Sequence, residues 1–160
     1  MSRRETTELL TRAAKNYYIK KKFAVFEEFG VGSYGKRRLD LLCMNNKCSY
    51  VGIEIKSCKA DYVTDSKWRE YLRYVNKLYI LIPPKLAESS FFEQIQRDTK
   101  PHGVGIMTLT PIAGKITVIQ NAKSQKVADD VMMKMLIKMA WRGGESVRTR
   151  KKNARKTRSI

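Results

Sequence analysis

The sequence lacks the long apolar stretches that membrane-spanning and secreted proteins require. Nowhere among its 160 residues is there an unbroken apolar run of about 18 residues, the length at which a membrane-spanning helix becomes a candidate. The first residues, Met1-Ser-Arg-Arg-Glu, also lack the apolar core of a signal peptide. We therefore expect a protein without membrane contact, in the cytoplasm of a bacterial or phage-infected cell or associated with the nucleoid.

Cysteine is scarce and has no regular spacing. The three cysteines, Cys43, Cys48 and Cys58, are odd in number and contain no C-x-x-C pair, which argues against a disulfide framework and a zinc ribbon. If Cys43 and Cys48 faced each other across a hairpin, the three thiols and the only histidine, His102, would supply four zinc ligands. We favour the simpler interpretation of small buried thiols in a reducing compartment.

Acidic residues are also few: 15 Asp and Glu stand against 33 Lys and Arg, a formal net charge of +18. Such an excess attracts polyanions and favours nucleic acid as the partner. A membrane surface would need a basic amphipathic helix with large apolar residues opposite the charges, and an acidic protein partner stays open.

Length and composition predict one domain and a tail. A chain of 160 residues suits a single core, and 42% of the residues are hydrophobic. After Trp141 the composition changes, with eight Lys and Arg against Glu145 alone, so residues 142–160 carry +7 of the net charge. We expect a single domain over residues 1–141 and a basic tail over 142–160 that is disordered until it meets an anion.

The apolar spacing predicts alternating helices and strands. Ser2 and Glu5 form a capping-box pattern that begins the first helix, and Asn45-Asn46-Lys47 is typical of a tight hairpin turn. The predicted helices cover residues 3–20, 61–75, 85–97 and 127–141, and the predicted strands cover 23–29, 39–44, 50–56, 77–83, 104–110 and 115–122.

The most informative residues are Asp40, Glu54 and Lys56. Side chains alternate along a strand, so Glu54 and Lys56 share one face while Ile53 and Ile55 point into the core. If the hairpin is centred on Asn46, Asp40 lies diagonal to Glu54 on the same face. Clustered carboxylates suit Mg²⁺, which activates water and neutralises phosphate charge, and a neighbouring ammonium orients that water. The combination suits phosphodiester hydrolysis.

The same E-x-K spacing also occurs by chance in exposed strands as a simple salt bridge. Three features favour the catalytic interpretation here: apolar residues flank Glu54, an Asp lies in the preceding strand, and the basic loop Lys36-Arg37-Arg38 comes immediately before Asp40.

These residues resemble a known family. Asp40 with Glu54-Ile55-Lys56, preceded by a helix and followed by helix and strand, is similar to the PD-(D/E)XK nuclease superfamily. A longer set of positions, over roughly residues 23–85, resembles the MmcB-like branch of presumed DNA-repair nucleases. These positions are Arg37-Arg38-Leu39-Asp40-Leu41-Leu42, Gly52-Ile53-Glu54-Ile55-Lys56-Ser57, Ala60-Asp61-Tyr62, Asp65, Lys67-Trp68, Glu70-Tyr71 and Leu78-Tyr79.

The resemblance implies an α/β (α+β) fold with a restriction-endonuclease-like core, a central mixed β-sheet flanked by helices. It implies that Asp40 and Glu54 bind the metal, that the Ile55 carbonyl adds a ligand and that Lys56 is the catalytic lysine.

Many members of the superfamily use a further acidic residue upstream. Glu28 is our choice, because it lies on the strand before Asp40. Glu5 and Glu8 on the first helix are the alternatives, and Glu8 falls almost opposite the apolar face of that helix.

The leading hypothesis is a DNA endonuclease that uses Mg²⁺, with Mn²⁺ as a substitute, on double-stranded or branched DNA in repair or recombination. By analogy with resolvase-like nucleases, a homodimer is expected. One alternative is a non-catalytic nucleic-acid binder on a nuclease scaffold; a more distant one is a basic packaging protein whose E-x-K is accidental. The residues expected to bind DNA are Lys36, Arg37, Arg38, Arg148, Arg150, Lys151 and Lys152.

Overall fold

The computed structural model describes residues 1–144, 152 and 154–156, and the chain divides into two compact units, Met1–Val127 and Ala128–Ile160. The helices of the first unit are α1 (Arg3–Lys20), α2 (Lys59–Thr64), α3 (Pro84–Ala87) and α4 (Phe92–Thr99). Its strands are β1 (Ala24–Val31), β2 (Arg37–Met44), β3 (Tyr50–Ile55), β4 (Lys77–Leu81), β5 (Gly105–Leu109) and β6 (Ile116–Gln120). Short 3-10 helices cover Ser33–Gly35, Lys67–Tyr74 and Lys100–His102.

The six strands form one mixed sheet in chain order, from β1 to β6. β1, β2 and β3 are joined by antiparallel pairing, β3, β4 and β5 run parallel, and β6 is antiparallel to β5. The parallel pairs need long crossovers, and the helical segments between β3 and β5 supply them. The predicted fold class, a mixed sheet flanked by helices, is confirmed.

α1 covers one face of this sheet. The predicted capping box is present, since Ser2 and Glu5 exchange side-chain and backbone hydrogen bonds. Leu10, Ala14 and Tyr18 recur every fourth residue and are fully or nearly fully buried against the sheet. Ile53 and Ile55 of β3 belong to the same core, together with Leu41, Cys43, Val51, Tyr79, Leu81, Met107, Leu109 and Ala122.

The hairpin of β2 and β3 is centred one residue later than predicted. The pairs Met44–Tyr50 and Leu42–Gly52 leave five residues in the loop, which is centred on Lys47 rather than on Asn46. Asn45 stabilises it, because its Oδ1 accepts hydrogen bonds from the N–H groups of Lys47 and Ser49, each at 3.0 Å. The register therefore differs by two residues from the prediction, and an even shift leaves every side chain on its predicted face.

The predicted helix over residues 61–75 is interrupted at Asp65. α2 ends at Thr64, Asp65 has an extended backbone (φ −128°, ψ 98°), and a 3-10 helix follows. The Asp65 side chain accepts a hydrogen bond from the Lys67 N–H at 3.1 Å, which stabilises a turn in place of the helix. The helix predicted over 85–97 is likewise divided into α3 and α4.

Cys43 is fully buried in the core, as expected for a small apolar thiol, and this burial raises the pKa of its thiol to about 12.

The second unit contains α5 (Asp129–Gly143), which begins and ends two residues later than predicted. Met135 and Met139, from the predicted Met-rich stripe, are buried. The predicted tail lies largely outside the described residues, with Lys152 and residues 154–156 in helical conformation. The boundary after residue 141 and the disorder of the tail stay predictions.

Candidate active site

Asp40 and Glu54 lie directly beside each other on neighbouring strands. Leu41 pairs with Ile53, so the next position of the antiparallel ladder brings Asp40 opposite Glu54 rather than diagonal to it. The backbone holds both carboxylates: the Asp40 N–H donates to Glu54 Oε1 at 3.2 Å, and the Ile55 N–H donates to Asp40 Oδ2 at 2.7 Å. The predicted juxtaposition is present and is closer than the sequence indicated.

Burial makes this pair of negative charges costly. Glu54 is only 4% exposed, and burial, followed by the charge of Asp40, raises the pKa of its carboxyl to about 8. Burial also raises the pKa of Asp40, although the Ile55 N–H and the Lys56 charge act in the opposite direction. At neutral pH the pair therefore favours a bound proton or a bound cation over two free carboxylates.

Lys56 is buried beside the carboxylates and paired with Asp65. Its residue exposure is 2%, and its Nζ donates to Asp65 Oδ2 at 3.1 Å. Burial alone would raise the pKa of Asp65, but hydrogen bonds from the Lys67 N–H and from Lys56 lower it below its usual value. Asp65 is thus a charged partner that fixes the lysine ammonium.

Asp61, four residues before Asp65, stabilises the end of β3 instead. Its Oδ2 accepts hydrogen bonds from the Ser57 N–H at 3.0 Å and from the Ser57 hydroxyl at 3.2 Å. Its Oδ1 accepts one from Arg3 at 2.6 Å, which ties α2 to the start of α1. In the helix predicted over residues 61–75, Asp61 and Asp65 are four residues apart and would support the site from one face. The break at Asp65 gives the two carboxylates separate partners instead.

The 3-10 helix Lys67–Tyr74 lies on the carboxylate side of the sheet. It packs against β3 and β4, and its Tyr71 hydroxyl donates to the Arg38 carbonyl at 2.8 Å. Burial raises the pKa of Tyr71 to about 12, with further contributions from the charges of Glu54, Asp65 and Asp40. Trp68, also in this helix, is 2% exposed, so it packs in the interior.

Asp40 also opens onto a cleft of about 470 Å³ between α1 and the sheet. The residues around the cleft are mostly polar and come from α1, β1, β2 and β3. They are Thr7, Glu8, Thr11, Arg12, Lys15, Asn16, Glu27, Glu28, Asp40 and Ile55.

Glu28 is next to Asp40 in the strand register. The pairs Glu27–Leu41 and Phe29–Leu39 flank the position where Glu28 stands opposite Asp40. Its backbone is left-handed there (φ 46°), and its side chain is 73% exposed, 3.9 Å from Arg38. The structure therefore brings Glu28 to the same cleft as Asp40.

The two alternatives to Glu28 have other contacts. Glu5 is engaged in the capping box of α1. Glu8 pairs with Arg4 at 2.9 Å and is largely exposed, as predicted, yet it also borders the cleft.

The donor set suits a hard cation. Among the described residues, no group of three His, Cys, Asp or Glu side chains is placed to hold a metal ion, which leaves the zinc alternative without support in that part of the chain. Mg²⁺ needs fewer protein ligands, because it binds through one or two carboxylates and keeps several waters. Asp40 and Glu54, whose pKa values are raised chiefly by burial and, at Glu54, by the neighbouring Asp40 charge, fit that requirement.

The three residues of the predicted basic loop, Lys36-Arg37-Arg38, lie in different environments. Arg37 is half-buried and pairs with Glu70, with its Nε 2.5 Å from a carboxylate oxygen. Lys36 and Arg38 are exposed. Of the tail residues expected to bind DNA, Lys152 is exposed, whereas Arg148, Arg150 and Lys151 lie outside the described residues.

Sequence reasoning missed two partners. The spacing of Asp61 and Asp65 indicated that Asp65 supports the site, but its ion pair with Lys56 depends on the helix break and was not predicted. The pair of Arg37 with Glu70 joins residues 33 apart, which no local pattern reveals.

The fold is shared with solved structures. A protein of unknown function from Silicibacter pomeroyi is 21% identical, with a TM-score of 0.65 over 88% of this chain and 95% of that chain. An fdxN element excision controlling factor protein from Anabaena variabilis is 15% identical, with a TM-score of 0.51 over 71% of this chain and 99% of the other. At these identities the similarity establishes the fold alone.

A search of curated proteins gave no significant match. None of the described helices is long and apolar enough to span a lipid bilayer. The family described as DNA repair protein MmcB-like matches residues 1–153, nearly the whole chain. The sheet, the carboxylate pair and this match agree with the resemblance first seen in the sequence, and the chain belongs to the MmcB-like family of DNA repair proteins.

Proposed function

We propose that this protein is a metal-dependent DNA endonuclease that hydrolyses phosphodiester bonds in double-stranded or branched DNA. The observation that carries the proposal is the direct pairing of Asp40 with Glu54 next to the buried Lys56. A repair-family chain with net charge +18 supplies the attraction to DNA.

Asp40 and Glu54 would hold Mg²⁺ or Mn²⁺ through their carboxylate oxygens. The Ile55 carbonyl and Glu28 are the proposed further ligands, and the exposed Glu28 side chain would have to turn from Arg38 toward the pair. A cation bound there would lower the pKa of a coordinated water and would neutralise charge on the phosphate that is attacked. A water oxygen forms the new P–O bond as the bond from phosphorus to one deoxyribose oxygen breaks; the attacking water gives up a proton to solvent, and the leaving oxygen takes one from solvent.

Lys56 acts on the reacting groups from a fixed position. Its ammonium is held by Asp65 and excluded from bulk solvent, so it stabilises the phosphate oxygens and orients the water without a cost of reorganisation. Lys36 and Arg38 are exposed next to the site and contact the DNA backbone. A homodimer and a cytoplasmic location stay predictions.

Plasmid cleavage tests the proposal. Supercoiled and four-way-branched DNA are incubated with wild type, Lys56→Ala and the control Lys59→Ala, in Mg²⁺, Mn²⁺ or EDTA. Lys59 is an exposed lysine three residues after Lys56, so its substitution removes the same charge outside the site. We expect wild type and Lys59→Ala to cut with either metal and Lys56→Ala to bind DNA without cutting.

The second candidate function, a non-catalytic binder, predicts a different result. If all three proteins bind DNA equally and none cuts any substrate with either metal, the enzyme is ruled out and the binder stands.

A further inference from the structure

In the 3-10 helix Lys67–Tyr74, buried aromatic side chains and charged side chains lie on different faces, and each set recurs every third residue. Since a 3-10 helix has three residues per turn, residues three apart lie above one another. Trp68 and Tyr71 on one face are buried. Lys67, Glu70 and Arg73 share a second face, and all three are exposed. The helix therefore presents a charged surface while its aromatic face holds it on the sheet.

Positive charge dominates that surface. Glu70 is the one carboxylate among residues 67–74, and it is already neutralised by Arg37 of β2. Lys67 and Arg73 lie one turn to either side of Glu70, and Arg69 is exposed on the adjacent face. We call Lys67, Arg69 and Arg73 the basic ridge.

Two residues of the basic ridge are held in place by aromatic rings. The Arg69 guanidinium lies 4.5 Å from the centre of the Trp68 ring, and the Arg73 guanidinium lies 5.3 Å from the centre of the Tyr74 ring. Both distances are within the range of a cation–π contact. Stacking fixes these long side chains and leaves their N–H donors available, which lowers the entropy lost when a phosphate binds.

The basic ridge is connected to the proposed catalytic residues. Asp65, which pairs with Lys56, comes two residues before Lys67, and Tyr71 bonds to the carbonyl of Arg38. The glycine-rich turn that precedes the basic loop packs on the end of the same helix, because a Cβ on Gly32 would meet the Tyr74 hydroxyl at 3.2 Å. These contacts place the helix that carries the ridge beside the proposed catalytic residues.

We infer that the basic ridge is the principal docking surface of the folded domain for the sugar-phosphate backbone of DNA. This inference rests on the proposed function and names the surface that receives its substrate. Arg69 and Arg73 are separated by about 8 Å along the helix axis, at ~2.0 Å per residue, which spans two to three nucleotides of one strand at ~3.4 Å each. The ridge neutralises successive phosphates without reading bases.

The test measures DNA binding in EDTA, so that cleavage plays no part. The affinity for a duplex oligonucleotide is measured by fluorescence anisotropy across a series of salt concentrations. The proteins are wild type, Arg69→Gln/Arg73→Gln, and the control Lys85→Gln/Lys115→Gln, which removes two exposed cations from α3 and from the turn before β6. We expect the slope of log affinity against log salt to fall by about 2 in the ridge variant, close to 0.9 per lost phosphate contact, and to stay unchanged in the control.

The variant Arg69→Lys/Arg73→Lys separates charge from general damage, and it is expected to keep the wild-type slope. Circular dichroism checks that each protein is folded, and the exposed positions of both arginines make loss of the fold an unexpected result. If wild type binds DNA and the ridge variant keeps its slope, or if the control loses as much, the inference is overturned while the proposed function stands. If wild type does not bind DNA, the proposed function itself fails.

Discussion

At the scale of single residues, the site is defined by charges that burial forces to interact. Asp40 and Glu54 are paired through the backbone, and each lies where its ionised form is disfavoured. Lys56 would be costly to bury alone, but Asp65 compensates it. The lysine is thus neutralised by its own partner, and the carboxylate pair is left to be neutralised by a cation.

Substitution of Glu54 by Gln should change how stability depends on pH. An acid whose pKa is raised from 4.5 to about 8 on folding contributes stability below pH 4.5 that is lost as pH rises through 8. Glu54→Gln removes this loss, so the apoprotein variant should be more stable than wild type at pH 8, on the order of a few kcal/mol at ~1.4 kcal/mol per pKa unit. Urea unfolding in EDTA at pH 4.5 and pH 8 measures the difference.

The same experiment with Mg²⁺ provides the control. A cation that binds only the folded state raises the free energy of unfolding of wild type, whereas Glu54→Gln should gain little. Identical pH and Mg²⁺ dependences in the two proteins would show that Glu54 is not a buried acid at a metal site.

Asp65 is expected to act as a positioning residue through Lys56. Asp65→Asn keeps the shape but removes the charge that holds the ammonium, so kcat for DNA cleavage should fall about tenfold or more while DNA affinity is unchanged. The control is Asp98→Asn, because Asp98 bonds to Tyr62 and Gln94 and not to the lysine. Equal losses of kcat in the two variants would indicate general destabilisation instead of a role for Asp65.

At the scale of elements, the sequence predicted what depends on periodicity and missed what depends on loops. The capping box, the faces of β2 and β3 and the antiparallel pair of β5 and β6 follow local patterns and are present. The loop after Met44 and the break at Asp65 depend on single side chains, Asn45 and Asp65, that bond to nearby backbone. Such competition between local and helical hydrogen bonds is decided by the tertiary contacts of those side chains.

The sequence predicted the two carboxylates on the correct face of the sheet because side chains alternate between the faces along a strand. An error of two residues in the hairpin register leaves the faces unchanged, so Asp40 and Glu54 were predicted together although their exact pairing was not. The ion pair of Lys56 with Asp65 could not be predicted with the same method, because the helix predicted over residues 61–75 is interrupted at Asp65 and the position of that side chain depends on the break.

β1 contains a strained position that a glycine should relieve. Glu28 has φ 46°, a left-handed conformation that costs an ordinary residue about 1–2 kcal/mol. Glu28→Gly should therefore stabilise the protein by about 1 kcal/mol, whereas the control Glu27→Gly should destabilise it, since glycine weakens a regular strand.

The two glycine variants also test the proposed ligand role of Glu28. Glu28→Gly should need more Mg²⁺ for half-maximal cleavage, and Glu27→Gly should not. A less stable Glu28→Gly, or one with the wild-type Mg²⁺ requirement, would contradict the account of this residue. Thermal unfolding and a Mg²⁺ titration of the cleavage rate measure both quantities.

At the scale of the whole molecule, the chain combines a net charge of +18 with a small acidic centre. The positive charge accounts for attraction to DNA at long range but does not indicate which reaction the protein catalyses. Asp40 and Glu54 are the residues to which the proposed reaction is assigned, and Glu54 is buried while Asp40 is partly exposed. The basic tail adds +7, and its part in binding stays a prediction.

The central claim is that the protein is a metal-dependent DNA endonuclease with Asp40 as a metal ligand. The most direct test is the rate at which saturating protein cuts plasmid DNA in Mg²⁺, measured for wild type and Asp40→Asn. Loss of a metal ligand should cost more than the ~10–100-fold typical of outer-shell partners, so the account predicts no detectable cutting by Asp40→Asn. DNA affinity should be unchanged or slightly higher, because one negative charge is removed. Cutting by Asp40→Asn at the wild-type rate would contradict the account.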